Sequence, residues 1–384
     1  MAMDRGLRRV VKPCLDLNRE SDTRNVSAHV FFDGLTARQI QRRGARPVWR
    51  HRDPLLVRLP NELHSRDRRW IATMATQHIS VLPEETLDWL DPQPGQTIID
   101  GTLGGAGHTC RLAERVGPAG RVISLDADPR AVERCRSLVS ELPVTLVHSN
   151  FRDLVPLATE QQWPAPDGVL LDLGLSSDQL ADSERGFSFQ DEGYLDLRFD
   201  DQVGESASEL LNRLRERDLA DLIYKYGEER ASRRIARTIV QRRSAIEHWT
   251  SAQLADLIAS VVPRSTKNPI HPATRTFQAL RIAVNGELDA LELALRDFPS
   301  LFKPGTRFAI ISFHSLEDRL VKQAFRDDPR LECLTRKPIR PSEEELAVNP
   351  RSRSARLRVA KRVDDATRVQ HPAMNAPKRS DWHG

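Results

Sequence analysis

The 384-residue chain has only four cysteines, Cys14, Cys110, Cys135 and Cys333, and none lies within 24 positions of another. With no CxxC pair, neither a zinc site nor a disulfide framework is indicated, and no metal is expected. No run of 18 apolar residues occurs, so no helix is predicted to span a bilayer. The first thirty residues carry no apolar h-region, which predicts no secretory signal. A reducing cytoplasm is the expected setting. Aromatics are sparse at 5%, while 39% hydrophobic and 29% charged residues suit a globular protein. The length predicts more than one domain.

Charge is segregated. The net charge is +8 over residues 1–73, −10 over 74–334 and +6 over 335–384. Basic ends on an acidic body point to a polyanionic partner, although solvated arginine-rich tails would read the same way. Residues 1–73 show no sustained period and are expected to form a disordered or loosely ordered extension. Residues 363–384 are expected to be a disordered tail.

From Met74 onward strands and helices alternate, which predicts an α/β fold. Helices are predicted over Pro83–Leu90, His108–Val116, Pro129–Val139 and Glu287–Leu301. Apolar strands are predicted over Thr97–Asp100, Arg121–Asp126, Val144–His148, Gly168–Asp172 and Arg307–Phe313, as parallel strands buried on both faces would be. More than 100 residues separate Asp172 from Asn285, too many for a loop, and they carry helical periods. The domain plan is therefore a core of 74–177 and 285–362, interrupted by a mainly helical substrate-recognition domain over 178–284. Open α/β sheets bind ligands at the carboxyl ends of their strands, so this insertion would overhang the site.

A glycine turn, Gly101 to Gly107, joins the first strand to the next helix and allows close backbone approach to a ligand. It lacks GxxxxGK[ST], which excludes a P-loop, and lacks GxGxxG in register, which disfavours NAD. Asp100 closes the strand before the turn. A carboxylate there repels a pyrophosphate but suits the sulfonium and ammonium of S-adenosylmethionine. Asp126 ends the second strand, where a ribose-binding carboxylate belongs; it could equally cap the helix that follows. Asp172 ends the fourth strand and is a candidate catalytic or cofactor-binding acid. The Asp/Asn-Pro-Pro-aromatic motif of many amine methyltransferases is absent there apart from this acid.

These residues belong to longer segments that resemble the MraW/RsmH family of 16S rRNA (cytosine-N4)-methyltransferases. The likeness runs from His78 to about Arg362. It is carried by HISVLPEE (78–85), DGTLGGAGH (100–108), LDLGLSS (171–177), ERGFSF (184–189) and YGEER (226–230). HPATRTFQALRI (271–282), SFHSLEDR (312–319) and NPRSRSARLRVA (349–360) follow in the family's order. The resemblance implies a class I, Rossmann-like methyltransferase that methylates N4 of a cytidine in the decoding region of 16S rRNA, within the small ribosomal subunit. It implies cofactor contacts at Ala106, Gly107, His108, Asp126, Phe151, Asp172 and Gln179. Ala106 stands where the family usually has glycine, adding a methyl beside the cofactor. Ala127, Asp178, Tyr194, Leu197 and Phe199 also depart from the usual pattern.

For RNA, Arg230, Arg233 and Arg237 are expected to share a helix side opposite Ile235 and Ile239, facing phosphate or simply solvent. Arg275 and Arg281 are candidate phosphate ligands, with a structural ion pair as the alternative for Arg281; Phe277 is expected in the core. Ser315 with Asp318 reads as a capping box. His314, at the end of the fifth strand, is a candidate catalytic residue. Arg356 to Ala360 alternates as an edge strand with a basic outer face. Two rival functions remain on these residues: methylation of another base or of protein, and non-catalytic RNA binding during ribosome assembly.

Overall fold

A computed structural model describes residues 79–190, 192–262 and 270–364. The extension 1–73 and nearly all of the tail 363–384 lie outside the described residues.

The strands β1 (Thr97–Asp100), β2 (Arg121–Asp126), β3 (Val144–His148), β4 (Gly168–Asp172), β5 (Arg307–Ser312), β6 (Leu331–Cys333) and β7 (Arg356–Arg362) form one sheet. Their order is β3-β2-β1-β4-β5-β7-β6. The first five run parallel, and β7 pairs antiparallel with both β5 and β6. This is the class I methyltransferase arrangement. The expectation for Arg356–Ala360 is corrected in two respects: Arg358 is buried against Asp318 rather than on a basic outer face, and β7 is an inner strand. Three residues, Leu331–Cys333, cover its outer edge, and so short a strand leaves no alternation to read.

Short signals start the helices. Pro83 opens α1 (Pro83–Leu90), and α2 spans Gly107–Val116. Proline also opens α3 (Pro129–Cys135), where Asp128 caps the end by accepting from the Arg130 N–H. This helix stops short of Val139, because a tighter i→i+3 bond from Arg136 N to Glu133 O closes its last turn. Helix α4 (Leu154–Glu160) precedes β4.

Between β4 and β5 the chain is helical: α5 (Ser177–Ala181), α6 (Ala207–Arg213), α7 (Glu216–Gly227), α8 (Ser232–Arg242), α9 (Ser251–Val261) and α10 (Thr274–Asn285). Capping boxes at Ser176, Ser206 and Thr250 start three of them. These helices bury their own apolar cluster, including Leu211, Ile223, Ile235, Ile239, Trp249 and Leu280. Buried Trp249 donates its indole N–H to Asn212 Oδ1 at 3.1 Å, so its polar handle is satisfied. One face of the sheet packs Ile99, Val169, Phe308 and Ile310 with Leu291, Phe298 and Phe325 from α11 (Glu287–Asp297), the turn after it and α12 (Ser315–Asp327). The other packs Ile98, Leu170 and Ile311 against α1 and α2. Helix α13 (Glu343–Val348) and a 3-10 turn, Pro350–Ser354, lead into β7.

Candidate active site

At the carboxyl ends of β1, β2, β4 and β5 lies a cavity of about 1180 Å³, its open mouth included. The turn Gly101 to Gly107 forms its floor with His108. Gly104 has φ +52 there, a left-handed conformation that favours glycine. Asp126, Ala127, Asn150 and Phe151 form one end, and Asp172 to Ser177 with Gln179 the middle. Phe199 and Asn285 come from the helical segment, Phe313 and Glu317 from the β5–α12 corner. Gly174 lies so close to Phe313 that a Cβ on it would meet the ring at 2.7 Å. That contact joins the tips of β4 and β5.

Asp126 lines the cavity at the β2 tip. Its Oδ2 accepts from Gly104 N and its Oδ1 from Asp128 N, both at 2.8 Å. Burial pushes the carboxyl up to about 6, against the pull of those two N–H groups. The alternative cap role falls to Asp128. Phe151 lines the cavity from a 3-10 turn.

Asp100 is a correction. It lies beneath the turn and does not line the cavity. Oδ1 accepts from Thr102 N at 3.1 Å and Oδ2 from Thr109 Oγ1 at 2.7 Å, with no exposure. Burial raises this carboxyl to about 6 as well, opposed chiefly by His108. It holds the turn's shape. Ala106 is corrected likewise. Its methyl is buried with Leu103, Cys110, Val132 and Cys135, away from the cavity. Its φ is +63. Glycine suits this position for its backbone, not for room beside a cofactor.

Gly107 and His108 line the floor. His108 Nε2 is 3.6 Å from Asp172 Oδ2 and makes no hydrogen bond. Asp172 Oδ1 accepts from Gly174 N at 3.2 Å, and its own N–H donates to Thr102 Oγ1 at 2.7 Å. The second oxygen of Asp172 therefore has no N–H of the loop to accept. Gln179 borders the cavity, but its Oε1 accepts from Ser176 N as part of the α5 capping box.

His314 stands behind the cavity wall. Its Nδ1 accepts from Glu317 N at 3.4 Å, so the capping pair of α12 is His314 with Glu317, not Ser315 with Asp318. Glu317 reaches the cavity in its place, its Oε2 accepting from Phe313 N at 2.8 Å and His314 N at 3.2 Å. Glu287, His314 and Glu317 bring ligand-type atoms within 4.8 Å of one another. Of these, His314 Nε2 lies 3.0 Å from Glu317 Oε1, while Glu287 is already engaged, taking both Arg281 Nε and Nη2 at 2.8 Å. That pair makes Arg281 a structural residue, largely buried, and removes it from the phosphate candidates.

Arg233 and Arg237 are exposed on α8, with Ile235 and Ile239 buried on its far side. Arg237 lies 3.3 Å from Glu216. Arg230 is exposed but precedes the helix, so it does not share that face. Arg275 donates to Glu228 O at 3.3 Å and lies 3.9 Å from Glu229. Phe277 is core, edge-on to Phe189 at 4.8 Å. Asn285, Glu317 and Arg351 were not singled out from the sequence. Glu317 and Arg351 belong to the family-like segments 312–319 and 349–360, whereas Asn285 lies in none of them.

The sequence pattern described as the MraW methylase family matches residues 75–363. A "Ribosomal RNA small subunit methyltransferase H" from Thermomicrobium roseum is 48% identical over 310 residues, covering 76% of this chain and 95% of that protein. Proteins of the same name from Rhodopirellula baltica and Deinococcus deserti are 49% and 50% identical, covering 75% and 74% of this chain and 92% and 93% of theirs. With its sheet order, its cavity and its sequence in agreement over the same residues, the chain belongs to the MraW methylase family.

Proposed function

We propose that this protein methylates N4 of a cytidine in the decoding region of 16S rRNA. At the coarser level it is a methyltransferase of small-subunit rRNA, as its relatives' names state for them, with S-adenosylmethionine as the methyl donor. The observation that carries the reading is the pairing of Asp126 and Asp172 in one cavity: one acid at the β2 tip, one at the β4 tip, with the glycine turn between them. S-adenosylmethionine supplies a methyl group on a sulfonium. Asp126 accepts from its ribose hydroxyls, and the glycine backbone allows close approach.

The cytosine amine is a weak nucleophile, because its lone pair is delocalised into the ring. Asp172 Oδ2 accepts a hydrogen bond from the amine and localises that lone pair toward the methyl group. The carbon–sulfur bond would break as the carbon–nitrogen bond forms, releasing the neutral thioether. The methylated amine cation would then pass its proton to Asp172 Oδ2 and on to solvent, so no strong base is needed and positioning with electrostatics carries the rate. Helices α5 to α10 recognise the RNA, with Arg233 and Arg237 on phosphate. An rRNA substrate implies a cytoplasmic setting. No described helix is long and apolar enough to cross a membrane.

Incubation with unmethylated small subunits or free rRNA, followed by mass analysis of nucleosides, tests the reading. N4-methylcytidine is expected; a methylated nucleoside of another kind overturns the position.

A further inference from the structure

The segment Asn349–Ser354 lies at the mouth of the cavity and has no part in the reaction derived above. Its turn, Pro350–Ser354, has 3-10 geometry. Three residues per turn place Ser352 and Ala355 in one column. Both are wholly buried. Ser352 Oγ donates to Asn349 O at 2.8 Å, and buried Asn349 donates its side-chain amide to Ile79 O at 3.2 Å. Just upstream, Glu345 accepts from Leu82 N at 2.9 Å. The backbone is thus pinned on its inner side, which forces Arg351 and Arg353 outward. Both are exposed. Arg351 lines the cavity, and its Nη1 donates to Ser177 Oγ at 2.8 Å, beside the β4 loop.

Neighbouring arginines differ in one respect. Arg356 and Arg358 share Asp318, at 3.5 and 2.7 Å, and Arg281 has Glu287. Among the described residues, Arg351 and Arg353 meet no carboxylate. Guanidinium groups held on a fixed backbone, without an acid, are preorganised for a bidentate anion.

We propose that Arg351 and Arg353 hold the phosphates that flank the target nucleotide while its base occupies the cavity. A base buried there has left its stack, so its backbone runs across the mouth. The phosphodiester is the anion that this path brings within reach of both side chains. The proposal rests on the reading of RNA as substrate.

The test uses the full-length protein, unmethylated small ribosomal subunits and labelled S-adenosylmethionine over a series of KCl concentrations. Arg351→Ala and Arg353→Ala are each expected to raise KM for subunits about tenfold and to lower the salt slope by roughly 0.7–0.9. Arg351→Lys keeps the slope but loses affinity, since an ammonium lacks the fork. Binding of S-adenosylmethionine alone, by calorimetry, stays unchanged. A fall in that binding with an unchanged salt slope overturns the proposal and gives Arg351 to the cofactor's carboxylate. Unchanged KM and slope also overturn it. If wild-type protein yields another methylated nucleoside, the N4 reading fails while the arginine result stands. Wild-type protein that does not methylate subunits overturns both.

Discussion

Arg185 Nη2 stands 2.9 Å from Asp128 Oδ2, with both side chains almost wholly buried. The approach is close but poorly aligned for a hydrogen bond. Arg185 also reaches Asp182 through Nε at 3.0 Å and Phe199 O through Nη1 at 3.2 Å. Asp128 in turn donates its N–H to Asp126. One guanidinium therefore ties the cofactor end of the cavity to the wall carrying Phe199.

Removing it leaves the buried Asp128 carboxylate with no cation, held only by the Arg130 N–H on Oδ1 at 2.9 Å and by Gln179 Nε2 at 3.4 Å from Oδ2. Arg185→Met is expected to lower stability by about 3–5 kcal/mol and to weaken cofactor binding. Thermal unfolding and calorimetry check this; a loss below about 1 kcal/mol would show that the pair is dispensable.

Binding of S-adenosylmethionine should depend on pH through Asp126. Its folded carboxyl titrates near 6, above the ordinary value of 3.8. Ribose hydroxyls need the ionised form as acceptor, so affinity falls as pH drops through about 6. The stability effect has the opposite sense. The folded state holds this proton more tightly, so the group stabilises at low pH and that contribution is lost as pH rises through about 6. Asp126→Asn should weaken binding by about 1.5–3 kcal/mol and flatten its pH profile. A profile identical to wild type would move the titration to another group.

Ala106→Gly sets two effects against each other. It relieves a left-handed alanine, about 1 kcal/mol, and loses one buried methyl, about 0.8 kcal/mol. Stability should stay within about 1 kcal/mol of wild type, with cofactor affinity unchanged. A clear gain in affinity would mean that the methyl does crowd the cofactor.

Asp172→Asn should cut turnover on the order of 10²–10³-fold with little change in cofactor affinity. A loss of affinity instead would assign the carboxylate to the cofactor. His314→Ala is the contrast: loss of a helix cap costs about 1 kcal/mol. Any fall in turnover should be matched by Glu317→Gln, because His314 Nε2 lies 3.0 Å from Glu317 Oε1.

Arg233→Ala with Arg237→Ala should lower the salt dependence of substrate binding by up to roughly two ions. Cofactor affinity should be untouched. An unaltered slope would make this face a solvated one.

The five parallel strands were readable because burial on both faces leaves nearly continuous apolar runs. The roles of the acids were less so. Asp100 and Asp126 both end strands, and sequence does not say which one faces inward; the hydroxyl of Thr109 decides it for Asp100. The cap of α12 lies one residue before Ser315, the residue that the sequence favours. Serine is the commoner cap, but the chain leaves β5 so that His314 comes first. Strand β6 and the turn at Pro350–Ser354 left no periodic signal at all. Arg281 was ambiguous because its partner, Glu287, lies on the next helix, beyond the break at Gly286.

The carboxylates that line the cavity also bear on turnover between cycles. Asp126, Asp172 and Glu317 face it, while Glu287 is neutralised by Arg281. Methyl transfer turns a sulfonium into a neutral thioether, so the demethylated cofactor leaves with one positive charge fewer than it brought. The walls attract it less than they attract fresh cofactor. The pocket's charge is therefore expected to favour fresh cofactor over its product, and high salt should narrow the difference between the two affinities.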